Sequence, residues 1–71
     1  MTVNDILNEK NTHPHCLLAI YRYIDGKILY IGNDRKMSEE IAERDVESFN
    51  VEKLINTNGT SKIARMQFYV F

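Results

Sequence analysis

Apolar and polar residues alternate on both sides of Asn58-Gly59 in the last third of the chain. Asn-Gly readily adopts the positive backbone angles of a two-residue turn, so residues 45–71 are predicted to form one β-hairpin. A shift of one residue would turn its apolar side chains to water, which fixes the register. The predicted partners are Glu47 with Val70, Phe49 with Phe68 and Val51 with Met66 on one face, and Ser48 with Tyr69, Asn50 with Gln67 and Glu52 with Arg65 on the other.

A second hairpin is predicted around Asp25-Gly26, which separates two segments rich in β-branched and aromatic residues, 16–24 and 27–32. A two-residue loop is preferred because it gathers the aliphatic side chains on one face. That face would hold Leu18, Ile20, Leu29 and Ile31, and the other Leu17, Tyr21, Tyr23, Ile28 and Tyr30. A three-residue loop with a bulge is the alternative, and it would shift these partnerships by one.

Two short helices complete the predicted elements. Thr2 and Asp5 have the spacing of a capping box, and the apolar stripe that follows ends by about Lys10, ahead of Pro14. Ser38 is a second N-cap, for a helix that ends near Arg44. The element order is thus α-β-β-α-β-β. We predict a single α+β domain over residues 1–71, with a four-stranded, mainly antiparallel sheet and both helices on one face.

Size and charge limit the possible functions. The 71 residues suffice for one small domain, whose marginal stability makes a homo-oligomer a reasonable expectation. Nine basic and ten acidic residues give a net charge of −1, so the basic excess typical of nucleic-acid binding is missing. A single cysteine and the lack of a long apolar segment predict a cytoplasmic protein that contacts no membrane.

The only cluster of soft metal ligands is His13, His15 and Cys16. In an extended segment the two imidazoles point to one side and the thiol to the other. Zinc usually takes at least three protein ligands, so we interpret Cys16 as a core thiol and expect no catalytic residue, metal or cofactor. An intermolecular metal site across a dimer stays open, and a small thiol- or metal-dependent enzyme is the last alternative.

Aromatic residues beside arginine are the only candidate binding groups. Such side chains are enriched in protein interfaces, which favours a non-enzymatic protein-protein interaction module that uses an aromatic sheet face or an edge strand. Single-stranded nucleic-acid binding is the alternative function, and packing of the tyrosines beneath a helix is the structural alternative. Self-association through the final strand is a related possibility. The candidate partner-binding residues are Tyr21, Arg22, Tyr23, Tyr30, Arg65, Tyr69 and Phe71.

Four segments, residues 2–7, 26–32, 38–41 and 45–46, carry a family resemblance. Their succession of a capped helix, a strand with Gly-x-Leu-Tyr-x-Gly spacing, a short acidic helix and a strand led by Val resembles short uncharacterised open reading frames of bacteriophages and mobile elements in Gram-positive bacteria. The resemblance implies a bacterial cytoplasm and a role as a phage accessory protein or as an inhibitor of a host factor.

Overall fold

The computed structural model describes every residue from Met1 to Phe71 and contains one four-stranded sheet with two helices. The α+β class and the order of the elements are confirmed. The second helix is a single turn, and the first predicted arm of the Asp25-Gly26 hairpin begins and ends earlier than expected. The elements are α1 (Val3–Glu9), β1 (Thr12–Arg22), β2 (Ile28–Asn33), a 3₁₀ turn (Asp34–Lys36), α2 (Glu39–Ala42), β3 (Val46–Thr57) and β4 (Thr60–Val70).

The strands lie in the order β2-β1-β4-β3, so the two hairpins meet through β1 and β4. This central pair is parallel, whereas both hairpins are antiparallel. The sheet is therefore mixed, and the prediction of a mainly antiparallel sheet is corrected at its centre. Because β4 is hydrogen-bonded on both sides, the final strand has no free edge for the self-association predicted for it. The outer strands of the sheet are β2 and β3.

The β3–β4 hairpin keeps its predicted turn and the centre of its register. Asn58 and Gly59 both have positive φ, 52° and 79°. The predicted pairing is confirmed over residues 48–51 of β3. Bulges leave Glu47 and Glu52 as extra residues without partners, because a bulge sets two residues against one, and a third shift, which skips Ala64 of β4, restores the register of the two-residue turn from Leu54 onwards. As a result Val46, not Glu47, faces Val70, and Lys53, not Glu52, faces Arg65.

The β1–β2 connection differs from the predicted two-residue loop. The Arg22 N–H donates to the Lys27 carbonyl (2.8 Å), so residues 23–26 form the loop. A carboxylate oxygen of Asp25 accepts from the Lys27 N–H (3.1 Å), which stabilises this wider turn. A bulge at Leu29 follows, and Ile20 pairs with Tyr30 while Tyr21 pairs with Ile28. Tyr30 and Ile31 have therefore exchanged the faces that the two-residue loop predicts for them.

The loop carries the best-formed ion pair of the chain, between Arg22 and Asp25 (2.5 Å). Hydrogen bonding to Arg22 lowers the pKa of Asp25 from 3.8 to about 2. Because the folded-state pKa of Asp25 lies below its unfolded value, the contribution of this carboxylate to stability is complete above about pH 4 and is lost as the pH falls towards 2.

We expect Asp25→Asn to reduce the loss of stability between pH 5 and pH 2.5, measured by urea denaturation. Glu9→Gln, at an exposed carboxylate outside any ion pair, is the control, and an equal effect there would contradict the assignment.

The core lies on one face of the sheet, beneath the helices. The capping box predicted for α1 is present, with the Thr2 N–H donating to the Asp5 carboxylate (3.0 Å) and the Asp5 N–H donating to the Thr2 hydroxyl (3.1 Å). From α2 and the segment before it, Ile41 and Met37 pack against the core. We call this side the covered face. Its buried residues are Val3, Ile6, Cys16, Leu18, Ile20, Ile63, Met66, Phe68 and Val70.

Candidate interaction surface

The opposite side of the sheet carries no helix, and we call it the open face. In β1 the buried residues Cys16, Leu18 and Ile20 alternate with residues that point to the open face. The strand register continues this face across the other three strands. Its central residues are Leu17, Ala19 and Tyr21 of β1, Ile28 and Ile31 of β2, Arg65, Gln67 and Tyr69 of β4, and Ser48, Asn50 and Lys53 of β3.

Two aromatic pairs lie where β1 and β4 end side by side. Tyr21 and Tyr69 are directly paired across the parallel strands, and their rings stack with centroids 5.4 Å apart. Just beyond them, Tyr23 meets Phe71 edge to face at 5.9 Å. Tyr23 and Phe71 are 53% and 62% exposed. Each ring thus packs against another ring; Tyr23 and Phe71 remain largely in water, and Tyr21 and Tyr69 are half-buried.

An apolar strip continues from these rings towards β2. Leu17 of the inner strand β1 is 46% exposed and Ile31 of the outer strand β2 is 62% exposed, although both are large aliphatic side chains. Together with Ala19, Tyr21 and Arg65 they line a shallow, open depression of about 300 Å³. Since no helix covers this side, the strip stays exposed to solvent on ordered backbone.

The β3 and β4 side of the open face is polar and charged. Arg65 lies directly opposite Lys53, so two cations are neighbours, and Glu52 lines the depression beside them. The two ion pairs of the chain join Arg22 to Asp25 and Arg44 to Glu40, and neither involves Arg65. The Arg65 guanidinium is therefore free to bind a carboxylate of another molecule.

Five of the seven candidate partner-binding residues lie together on the open face or at its aromatic end. Arg22 does not join them: it is paired with Val70, whose side chain is in the core, and its guanidinium is bound to Asp25. Tyr30 is on the covered face opposite Ile20, and its hydroxyl donates to the Asn33 carbonyl (2.5 Å). The residues brought together are Tyr21, Tyr23, Arg65, Tyr69 and Phe71.

Three aliphatic residues of the open face are missing from the candidates predicted from the sequence. Leu17 and Ile28 are in phase with Tyr21, so the alternation of their strands already contains the signal. Alternation does not predict Ile31 on the open face, because the bulge at Leu29 moves this residue from the predicted face to the opposite one. These residues supply most of the exposed apolar surface beside the tyrosines.

The histidine and cysteine cluster is divided between surface and core. Cys16 is completely buried, which confirms its interpretation as a core thiol, and burial together with the charge of Asp34 raises its pKa. The rings of His13 and His15 lie 5.6 Å apart, and the His15 N–H donates to Nδ1 of His13 (3.0 Å). No group of three or more His, Cys, Asp or Glu side chains is placed to hold a metal ion. A buried thiol of raised pKa is a poor nucleophile.

Comparisons with known proteins give no relative from which a role can be transferred. No protein-family model, curated protein or solved structure matches the chain. None of its helices has the length and apolar character needed to cross a bilayer.

Proposed function

We propose that the protein is a non-enzymatic protein-interaction module that binds a partner protein on its open face. The observation that carries the proposal is the uncovered strip of Leu17, Ile31 and the Tyr21–Tyr69 pair on an ordered sheet. Contiguous apolar surface of this kind is rare on monomeric proteins and usually marks an interaction site. The other sheet face already has its helix layer, whereas no element of the chain covers the apolar residues on this side.

The arrangement has the anatomy of a protein interface. Apolar and aromatic side chains form the middle, and Gln67, Asn50 and Ser48 form a polar margin on the side of β3. Tyrosine and arginine contribute strongly to binding when a partner excludes water from them. We infer that the partner offers an apolar surface to the strip and a carboxylate to Arg65.

The proposed setting is the bacterial cytoplasm, as an accessory protein or host-factor inhibitor of the phage type. The resemblance to short open reading frames of phages and mobile elements supports this part of the proposal. A small inhibitor needs one rigid binding surface and no catalytic group. The open face, on a sheet fixed by a core of nine buried residues, supplies such a surface.

Single-stranded nucleic acid fits the same surface less well. Tyr21 and Tyr69 stack on each other, so one face of each ring is already occupied. Only Arg65 and Lys53 supply positive charge there, and Glu52 lies beside them. A backbone of phosphates requires a track of cations, and the chain as a whole is slightly acidic.

Photo-crosslinking from single positions tests the proposal. A photoreactive amino acid replaces Ile31 on the open face or, as the control, the exposed Glu39 of α2. We expect the Ile31 position to capture a specific host protein and the Glu39 position to capture none. Leu17→Asp should then weaken binding of the purified partner by about 30-fold, whereas Ile24→Asp, in a loop residue that is 86% exposed, should change it little.

Three results would count against the proposed function. Equal capture from both positions would show that the open face is not selective. Unchanged affinity of the Leu17→Asp variant would remove the strip from the interface. Salt-sensitive crosslinking to oligonucleotides in place of a protein would favour the nucleic-acid alternative.

A further inference from the structure

Strand β2 has an outer edge that no part of the chain occupies. It pairs only with β1 and ends the sheet on that side. Its residues take part in none of the backbone hydrogen bonds that lie outside the helices and strand ladders. One side chain, that of Tyr30, bonds to its backbone, at the Asn33 carbonyl. The other N–H and C=O groups that point away from β1 therefore have no partner within the chain.

The outer strand at the opposite end of the sheet, β3, is protected. Its first residue, Val46, donates its N–H to the Met1 carbonyl (2.8 Å). Thr2 forms a bridge with Asp45, so the N-terminal segment covers the start of this edge. Three register shifts and several charged residues follow along the strand. Bulges and charges of this kind hinder the pairing of a further strand.

Most of β2 has no such protection. Its six residues, Ile28–Asn33, include no charged residue and no proline. One bulge, at Leu29, lies near its start, and residues 30–33 pair regularly with β1. An apolar edge of this kind accepts an extended segment of another molecule, because the unpaired backbone groups gain hydrogen bonds and the side chains gain contacts.

A strand added to this edge would continue the open face. It would lie about 4.8 Å from β2 and turn alternate side chains to the open face. On that face Ala19 is next to Ile31 and Tyr21 is next to Ile28, and both rows end at β2. Ile28 and Ile31 are 54% and 62% exposed. Apolar side chains at alternate positions of the added strand would extend both rows and cover the two isoleucines.

Cations without ion-pair partners lie at both ends of β2. Lys27 precedes the strand, and Arg35 and Lys36 follow it; all three are exposed and outside the two ion pairs of the chain. Of the carboxylates close to them in sequence, Asp25 is held in an ion pair and Asp34 has one oxygen buried. Charge complementarity therefore favours a segment with carboxylates on either side of its apolar residues.

A second copy of the chain lacks this complementarity. Antiparallel pairing of two β2 strands about a two-fold axis at Ile31 would set Lys27 of one copy opposite Arg35 of the other. Like charges on opposed residues are destabilising. The edge therefore fits a different protein better than it fits itself.

We propose that an extended segment of the partner protein, with alternating apolar residues between carboxylates, adds to the outer edge of β2 as a fifth strand. This inference rests on the proposed function, because the same segment supplies apolar surface to the strip of the open face. Backbone hydrogen bonds to β2 supply affinity. The apolar row at Ile31 and the flanking cations select the side chains of the segment.

Selection of peptides on the whole chain tests the proposal. The probe is a displayed library of random dodecapeptides, applied to the immobilised wild-type protein. We expect the enriched peptides to alternate apolar and polar residues and to carry Asp or Glu at their flanks. N-methylation of alternate residues in a synthetic enriched peptide should abolish binding in one phase and leave it nearly unchanged in the other, because only one edge of the added strand pairs with β2. Enrichment of no peptide, or equal effects of the two phases, would overturn the proposal.

Charge reversal and amide exchange locate the bound peptide at β2. Lys27→Glu combined with Lys36→Glu should lower the affinity for the peptide about tenfold. Lys10→Glu combined with Lys62→Glu changes the net charge equally but lies near β3, and it should have little effect. Hydrogen exchange measured by NMR should slow on peptide binding at those amides of residues 28–33 that exchange rapidly in the free protein. Equal effects of the two charge variants, or unchanged exchange in β2, would contradict strand addition.

The same measurements separate this inference from the proposed function. If the Ile31 position captures a host protein and Leu17→Asp weakens its binding while the exchange of β2 amides is unchanged, the open face binds partners and the fifth strand is wrong. If the peptide protects the β2 amides and Leu17→Asp leaves its affinity unchanged, the edge is a binding site and the proposed use of the strip is wrong.

Discussion

Replacing Phe68 with Ala is expected to lower the free energy of unfolding by about 3–5 kcal/mol. The ring is completely buried in the middle strand β4, among nine residues that form the whole core. Removing it leaves a cavity beneath the helices that so small a core cannot refill. A domain of this size has little stability in reserve, so the variant should be largely unfolded at room temperature.

The natural control is Phe49, the cross-strand neighbour of Phe68. Their ring centroids are 5.9 Å apart, but Phe49 is 40% exposed and lies outside the core. We expect Phe49→Ala to cost about 1 kcal/mol. Urea denaturation followed by far-UV circular dichroism measures the free energy of unfolding of both variants, and Phe68→Leu replaces Phe68→Ala if that variant does not fold. Equal losses for the two alanine variants would show that the helix layer does not cover β4.

The β3–β4 hairpin could be predicted because its determinants are local. Asn58 and Gly59 fit the positive φ angles of the turn, and alternation around them fixes which side chains share a face. Tertiary packing agrees with this local preference, since Met66 and Phe68 are buried as their phase requires. Capping of α1 by Thr2 could also be predicted, because the residues of the capping box are close together in the sequence.

Bulges mark the limit of reasoning from alternation. One extra residue at Leu29 reverses the faces of Tyr30 and Ile31, yet the sequence there has neither glycine nor proline to indicate it. The same holds at Glu47 and Glu52 in β3. The wide β1–β2 loop depends on side-chain hydrogen bonds of Asp25, which a turn rule based on Asp-Gly does not include.

The parallel pairing that joins the two hairpins could not be predicted from the sequence either. Each hairpin has one apolar face and two outer strand edges, so several orders of the four strands would bury a similar apolar surface area. The structure places Leu18 beside Met66 in a parallel pair, and this choice makes β4 central. Five candidate residues still came together because β1 and β4 end at the same place, where Tyr21 is next to Tyr69.

The position of Tyr30 leads to the second large expected effect. Its ring lies across Gly32, where an added Cβ would be 2.9 Å from the Tyr30 hydroxyl oxygen, and it packs against the core. We expect Tyr30→Ser to lower the free energy of unfolding by about 2–3 kcal/mol. Tyr21→Ser, at the stacked ring of the open face, should cost about 1 kcal/mol or less.

Two further measurements separate the contributions and connect them to function. Tyr30→Phe removes only the hydrogen bond to the Asn33 carbonyl and should cost about 1 kcal/mol, so most of the loss in Tyr30→Ser is packing. The affinity for a partner should fall more in Tyr21→Ser than in Tyr30→Ser, because Tyr21 lies on the open face and Tyr30 beneath the helices. If Tyr21→Ser unfolded the domain while Tyr30→Ser left it stable, the two faces would be exchanged, and the uncovered strip would no longer exist to bind anything.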